Sequence, residues 1–224
     1  MLLIHENLPE EASHLCRVLQ TTFGFPTDTQ HADCSSLFIP VQQFPGYFLD
    51  TPAIIGLLRA LKGKPVFVIT DRDTYASTGH EPSQEDDWVF GSQYDKFMIK
   101  SVARLKRADS KPSTTLQVST ELYLQRLSAV AIHEVGHATI RRDHMQLATW
   151  VANNGNTLPL GPHCTDPRCV MYEIVDIRAP TDGHLQLGEE KKYDAGLDDV
   201  LERIYPDWFC TRCKDSLDVD ATYF

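Results

Sequence analysis

The chain has 224 residues, with 21 Lys+Arg against 31 Asp+Glu and a formal net charge of -10. That acidic balance argues against nucleic acid or an anionic membrane surface as partner, because both need a basic face. No apolar run reaches the roughly 20 residues that span a bilayer, and Met1 to Gln20 lacks a basic start followed by an apolar core, so a cytoplasmic or nuclear chain is expected.

The length supports a substantial core, and no Pro/Gly/Ser linker divides it. One domain over 1–224 is expected, with an amino-terminal lobe over 1–137 and a smaller carboxy-terminal lobe over 138–224. Met1 to Ile4 suits a short strand, and Asn7, Pro9, Glu10 and Glu11 open a helix that turns Leu15, Val18 and Leu19 inward. Pro26 to Asp33 reads as loop, and Leu37-Phe38-Ile39 as a buried strand stopped by Pro40. Thr51-Pro52 reads as a cap and first turn, opening a helix with Ile54, Ile55, Leu57, Leu58 and Leu61. Pro65 to Thr70 is a continuous apolar run, as required of a strand covered on both faces. Strand, helix, strand in this order predicts an α/β fold with a mainly parallel sheet and backing helices. His80 to Asp87 is an acidic solvated loop, Trp88-Val89-Phe90-Gly91 a short strand, Phe97 to Leu105 another, and Ala108 to Thr114 a polar connection.

A long helix is expected next. Ser119 can cap it, Glu121 lies in its first turn, and Leu124, Leu127, Ala131, Val135 and Ala138 recur on one face. Within His133-Glu134-Val135-Gly136-His137, the two histidines fall on the opposite face. Residues four apart stack on one side of a helix, so His133 and His137 can hold one zinc ion while Glu134 takes a proton from zinc-bound water and passes it to a leaving amine. That chemistry hydrolyses peptide bonds, which makes a peptide or protein the expected substrate.

Without a secretion signal, the six cysteines are expected as thiols or metal ligands rather than disulfides. Cys164, Cys169, Cys210 and Cys213 form two close pairs. Four thiolates would close a tetrahedral zinc site that leaves no open position for substrate, so this second zinc is expected to be structural and to cross-link a polar carboxy-terminal lobe. Cys16 and Cys34 read as buried, unreactive thiols.

With these residues in view, the chain resembles the archaemetzincins, zinc metallopeptidases of the metzincin clan. The likeness rests on His133 to His137, on His163-Cys164, on Cys169-Val170-Met171 and on Cys210 to Cys213, with further likeness in Val68 to Tyr75, Val89-Phe90-Gly91 and Ser101 to Leu105. It implies a metzincin-like fold with a twisted sheet, His163 as third zinc ligand, Met171 as the Met-turn beneath the metal, and an edge strand that pairs with extended substrate. Trp88, Val89, Phe90 and Gly91 are the candidate edge. The alternative function is a zinc-stabilised peptide- or protein-binding module with little or no proteolytic activity.

The chain departs from the family pattern by longer intervals from His137 to His163 and from Met171 to Cys210, and by Ile140 in place of the glycine after the second histidine. Asp143, His144 and His163 compete as third ligand. A β-branched Ile140 resists the positive φ of a sharp turn, so the helix is expected to continue through Arg141 and Arg142 towards Asn153. On that helix His144 would sit about 10 Å beyond His137. Asn153-Asn154-Gly155-Asn156 would reverse the chain, and Asn154 to His163 would return to the metal.

Overall fold

The structure, a computed structural model, describes residues 1–75, 89–94, 96–107, 115–152, 157–172, 183–187, 191–194 and 207–218. It divides into two compact units, Met1–Lys106 and Arg107–Asp218. The boundary precedes the long helix, so that helix belongs with the cysteine pairs and not with the amino-terminal sheet.

The first unit is built from β1 (Leu2–His5), α1 (Pro9–Phe23), β2 (Asp28–His31), β3 (Phe38–Pro40), β4 (Tyr47–Leu49), α2 (Thr51–Ala60), β5 (Val66–Thr70), β6 (Thr74–Tyr75), β7 (Gly91–Tyr94) and β8 (Phe97–Ser101). Its main sheet has the order β2-β1-β5-β8-β7, parallel throughout except for β7, which runs antiparallel along the outer side of β8. Every residue of β5 and β8 is buried, as expected of strands covered on both faces. Ile4, Val66, Val68, Phe97 and Ile99 pack with Phe38 and with Ile54 of α2, while α1 packs on β1 and β2. A smaller sheet joins β3, β4 and β6.

Three expectations need correction here. Pro26 to Asp33 is not all loop, because Asp28–His31 forms β2 at the sheet edge. All four side chains of β2 are exposed, so the strand is held by backbone pairing to β1 and leaves no apolar signature. Asp50, not Thr51, caps α2, its carboxylate accepting from the Ala53 N–H at 3.3 Å. The proposed edge strand Trp88 to Gly91 is shifted: Trp88 lies outside the described residues, Val89 and Phe90 precede the strand, and the edge strand begins at Gly91. Phe90 instead turns inward, its ring 4.5 Å from the Lys100 Nζ.

A buried ion pair ties β8 to the loop after β5. Arg104 is 2% exposed; its Nε donates to Asp73 Oδ1 at 2.8 Å and its Nη2 to the Tyr75 hydroxyl at 3.0 Å.

The second unit contains α3 (Thr120–Thr139), β9 (Gln146–Ala152), β10 (Thr157–His163), β11 (Gly183–Leu187), β12 (Lys191–Asp194) and α4 (Thr211–Asp215). Its sheet is antiparallel in the order β10-β9-β11-β12. Ser119 caps α3 as expected, its Oγ accepting from the Leu122 N–H at 3.2 Å. Among the described residues no helix is long and apolar enough to cross a membrane.

The expected extension of α3 to Asn153 does not form. The helix ends at Thr139, and Ile140 leaves it in extended conformation, φ -102 and ψ 127. An exit of this kind needs no positive φ, and β-branched residues favour it. Strand-like bonds to the other end of the unit hold it: Ile140 bridges Leu217, the Arg141 N–H donates to the Ser216 carbonyl, and the Asp218 N–H donates to the Thr139 carbonyl. A 3₁₀ turn over Arg142–His144 follows, and the chain then makes the β9–β10 hairpin, with Leu147 exposed. The expected reversal at 153–156 lies outside the described residues.

Replacing Asp73 by Ala would remove the carboxylate that pairs with the buried Arg104 guanidinium. Urea unfolding is expected to show a loss of about 3 kcal/mol, the usual cost of breaking a buried pair from one side.

Candidate metal centres

His133 and His137 lie one turn apart on α3, and His163 closes β10. Their ring nitrogens converge: His133 Nε2 is 3.0 Å from His137 Nε2 and 3.2 Å from His163 Nε2. The rings of His133 and His163 stack, and that of His137 stands at 89° and 88° to them.

The outer nitrogens fix what the inner ones can do. His133 Nδ1 donates to the Val170 carbonyl at 2.8 Å and His163 Nδ1 to the Gly161 carbonyl at 3.1 Å. A carbonyl only accepts, so each Nδ1 carries a proton, and in the neutral form each ring turns a bare Nε2 inward. Two lone pairs 3.2 Å apart repel unless positive charge lies between them. A single proton bridges two nitrogens, whereas three around one point suit a metal ion. A tetrahedral zinc with ligands at about 2.0–2.1 Å sets its nitrogens about 3.3 Å apart, close to what is found. Burial, and then the neighbouring His133 and His163, hold the His137 imidazole well below its ordinary pKa and so in the neutral, ligating form.

Glu134, beside His133 on the helix, is buried, as is Met171. Met171 packs so closely on the helix that a Cβ at Gly136 would lie 2.2 Å from its Sδ. Gly136 is thus a position in the helix motif where a side chain would displace Met171.

The four cysteines form a second cluster. All four are free thiols, with donor atoms within 4.8 Å of one another and Cys164 Sγ 3.6 Å from Cys210 Sγ. Tetrahedral zinc with sulfurs at about 2.3 Å would place them about 3.8 Å apart, so this set also fits. Crowding splits their protonation. Hydrogen bonds from Cys169 and then Cys213 lower the Cys164 thiol, and the bond to Cys164 raises Cys169 and Cys213. Without a cation the four cannot ionise together. Backbone N–H groups already point at two sulfurs, from Asp166 to Cys164 and from Cys210 to Cys169, each at 3.4 Å.

The two clusters share one segment. His163 and Cys164 are neighbours, the Cys164 N–H donates to the Met171 carbonyl at 2.9 Å, and Val170, whose carbonyl holds His133, follows Cys169. Asp143 stands apart from both, exposed in the 3₁₀ turn, and His144 lies against Cys213 instead of the histidine cluster. Sequence reasoning missed the Val170 and Gly161 carbonyls, for which no side-chain signal exists. It also missed His144 as a neighbour of the cysteines, because a helix would have carried it elsewhere.

No protein-family model matches the chain, and no curated protein does. Two solved structures share its fold. Archaemetzincin (AmzA) from Archaeoglobus fulgidus, solved with malonate, is 20% identical with a TM-score of 0.52, over 96% of this chain and 99% of that one. A zinc-dependent peptidase from Methanocorpusculum labreanum is 19% identical with a TM-score of 0.54, over 97% of this chain and 99% of that one. The chain therefore has the α/β fold of these archaemetzincin-type structures, mainly parallel sheet and backing helices included.

Ala at position 136 should favour the helix by up to about 1 kcal/mol on intrinsic propensity alone. Gly136→Ala is nevertheless expected to destabilise the protein by about 1–3 kcal/mol, the range for overpacking. Combining it with Met171→Ala should recover part of the loss in thermal unfolding. A stabilised single variant would show that Met171 moves aside freely.

Proposed function

We propose that the chain is a zinc-dependent peptidase of archaemetzincin type, with one zinc held by His133, His137 and His163 and a second, structural zinc held by Cys164, Cys169, Cys210 and Cys213. The observation that carries the reading is the set of three converging Nε2 atoms, two with their outer nitrogens committed to carbonyls, beside a buried glutamate on the same helix. Such orientation of ligand histidines by hydrogen bonds at the other ring nitrogen is general among metal sites. The fold it shares with a zinc-dependent peptidase supports the same reading.

When bound at three histidines, zinc supplies a Lewis acid that polarises a peptide carbonyl and acidifies water. Glu134 then accepts the proton of the attacking water and returns it to the departing amine. Val170 and Gly161 keep the imidazoles from rotating, and Met171, in the Met-turn position, closes the space under the helix. The cysteine zinc takes no part in the chemistry; it holds the segment from His163 to Met171 in place.

Metal analysis of the purified protein is expected to give two equivalents of zinc. His133→Ala should lose one, and Cys210→Ser should lose the other and more stability, since a closed thiolate site contributes directly to folding. Glu134→Gln should keep both ions while cleavage of mixed denatured peptides falls by about 10²–10⁴-fold. A wild-type protein that holds both ions yet cuts nothing would replace this reading with the zinc-stabilised binding module. Undiminished cleavage by Glu134→Gln would remove Glu134 from the mechanism.

A further inference from the structure

The turn that leads from α3 into β9 does more than connect. His144, at its end, places Nε2 3.2 Å from Cys213 Sγ, and its Nδ1 lies 3.3 Å from the Ser216 hydroxyl. Cys213 is fully buried, so no water reaches its sulfur. A cysteine that holds a metal is a thiolate, which only accepts, so His144 Nε2 must be the donor. The other ring nitrogen, Nδ1, faces the Ser216 hydroxyl. Asp143 Oδ1 also stands 3.4 Å from Nδ1, on a side chain that is 72% exposed, and leaves Nε2 to Cys213.

Four thiolates around a divalent ion carry a formal charge of about -2, and buried N–H donors are what offset it. Cys164 and Cys169 receive theirs from the backbone, at 3.4 Å each. Cys213 receives its own from a side chain, at the shortest of the three distances. The donor lies between His137 and His163, before the first of the four cysteines, so the four-cysteine motif does not specify it.

We infer that His144 is a positioning residue of the cysteine centre: it donates a hydrogen bond from Nε2 to the Cys213 thiolate and thereby fastens the α3-to-β9 turn to the structural zinc. The inference rests on the zinc-site reading of the cysteines. Its chemical consequence is that Cys213 is less basic and less nucleophilic than a bare thiolate, and the ion is held more tightly. Its mechanical consequence is that the turn is held from both sides, by the Arg141 N–H bond to Ser216 and by His144 on Cys213.

The test uses the full chain with both sites loaded. Zinc affinity at the cysteine centre is measured by chelator competition, and cobalt substitution reports the thiolates through their sulfur-to-metal charge-transfer band. His144→Ala is expected to weaken metal binding at the cysteines by about 10–100-fold, the range for an outer hydrogen-bond partner. It should also shift the charge-transfer band and leave affinity at the histidines unchanged. His144→Gln, whose amide N–H can reach the same point, should restore much of the affinity and the band position, an outcome that simple packing would not produce. Equal affinity and an unshifted band in His144→Ala would overturn the inference while the two-zinc reading stands. If His144→Ala does not fold, His144→Gln decides: a wild-type band upholds the hydrogen bond, and a band displaced to that of a mixed nitrogen and sulfur set, in this variant or the wild type, overturns it. A wild-type chain with one equivalent of metal, unaffected by Cys210→Ser, would overturn the cysteine site itself and His144 with it.

Discussion

The second unit is built around a conflict between histidine nitrogens that a cation would resolve. Val170 and Gly161 take the outer protons of His133 and His163, and the rings are then left with bare nitrogens facing each other in a buried space. Apolar packing alone would not hold such an arrangement, because repelling lone pairs gain nothing from burial. The cost is accepted where a ligand with opposite charge repays it, and for that reason the geometry carries more weight than the motif. His133-Glu134-Val135-Gly136-His137 says which residues could meet; the carbonyls say in which protonation state they do.

The same segment answers to two centres. From His163 to Met171 the chain supplies a ligand histidine, two ligand cysteines, the carbonyl that orients His133 and the side chain that packs on Gly136. The Val170 N–H is in turn held by the Trp208 carbonyl, just before Cys210. Tightening the cysteines therefore fixes the Val170 carbonyl, and with it the ring of His133, through covalent geometry and a few hydrogen bonds. Under the proposed reading, two adjacent metal sites would serve a unit whose own sheet, β10-β9-β11-β12, supplies neither cluster with more than His163 among the described residues.

What the sequence made legible was whatever rests on side-chain pattern. The Ser119 cap, the long α3 and the buried run of β5 are local signals, as are the close cysteine pairs and the i, i+4 histidines; His163 meets them by a hairpin and not by the expected helix extension. What it hid rests on the backbone. β2 has no apolar face and exists by pairing with β1; Val89 and Phe90 have strand-like side chains, but the ladder begins one residue later. Ile140, standing where the family pattern has glycine, predicts a helix that goes on, but a second way out exists. A helix can also end by entering the β region when a neighbouring strand, here Leu217, is ready to pair. Gln146 to Ala152 has apolar residues compatible with either periodicity, so tertiary pairing decided between them.

That exit also explains how a lengthened interval leaves the site intact. Along the β9–β10 hairpin, His163 is paired directly with Gln146. The excursion from Gln146 to His163 therefore closes on itself, and the distance that matters to the metal is spanned by the few residues from Ile140 to Met145. Closing a loop costs free energy that grows only with the logarithm of its length, and antiparallel pairing offsets much of it. The remaining difficulty is aim, since a regular strand need not end with its imidazole over the helix. A register shift between Pro159 and Gly161, with Gly161 at φ 89, supplies the correction at the strand's last turn before the ligand. It also turns the Gly161 carbonyl to the Nδ1 of His163. The long α3 would have required an outward path and an equally long return to meet at one point. The hairpin needs only its own register, and so a ligand remote in sequence arrives with the accuracy of a neighbour.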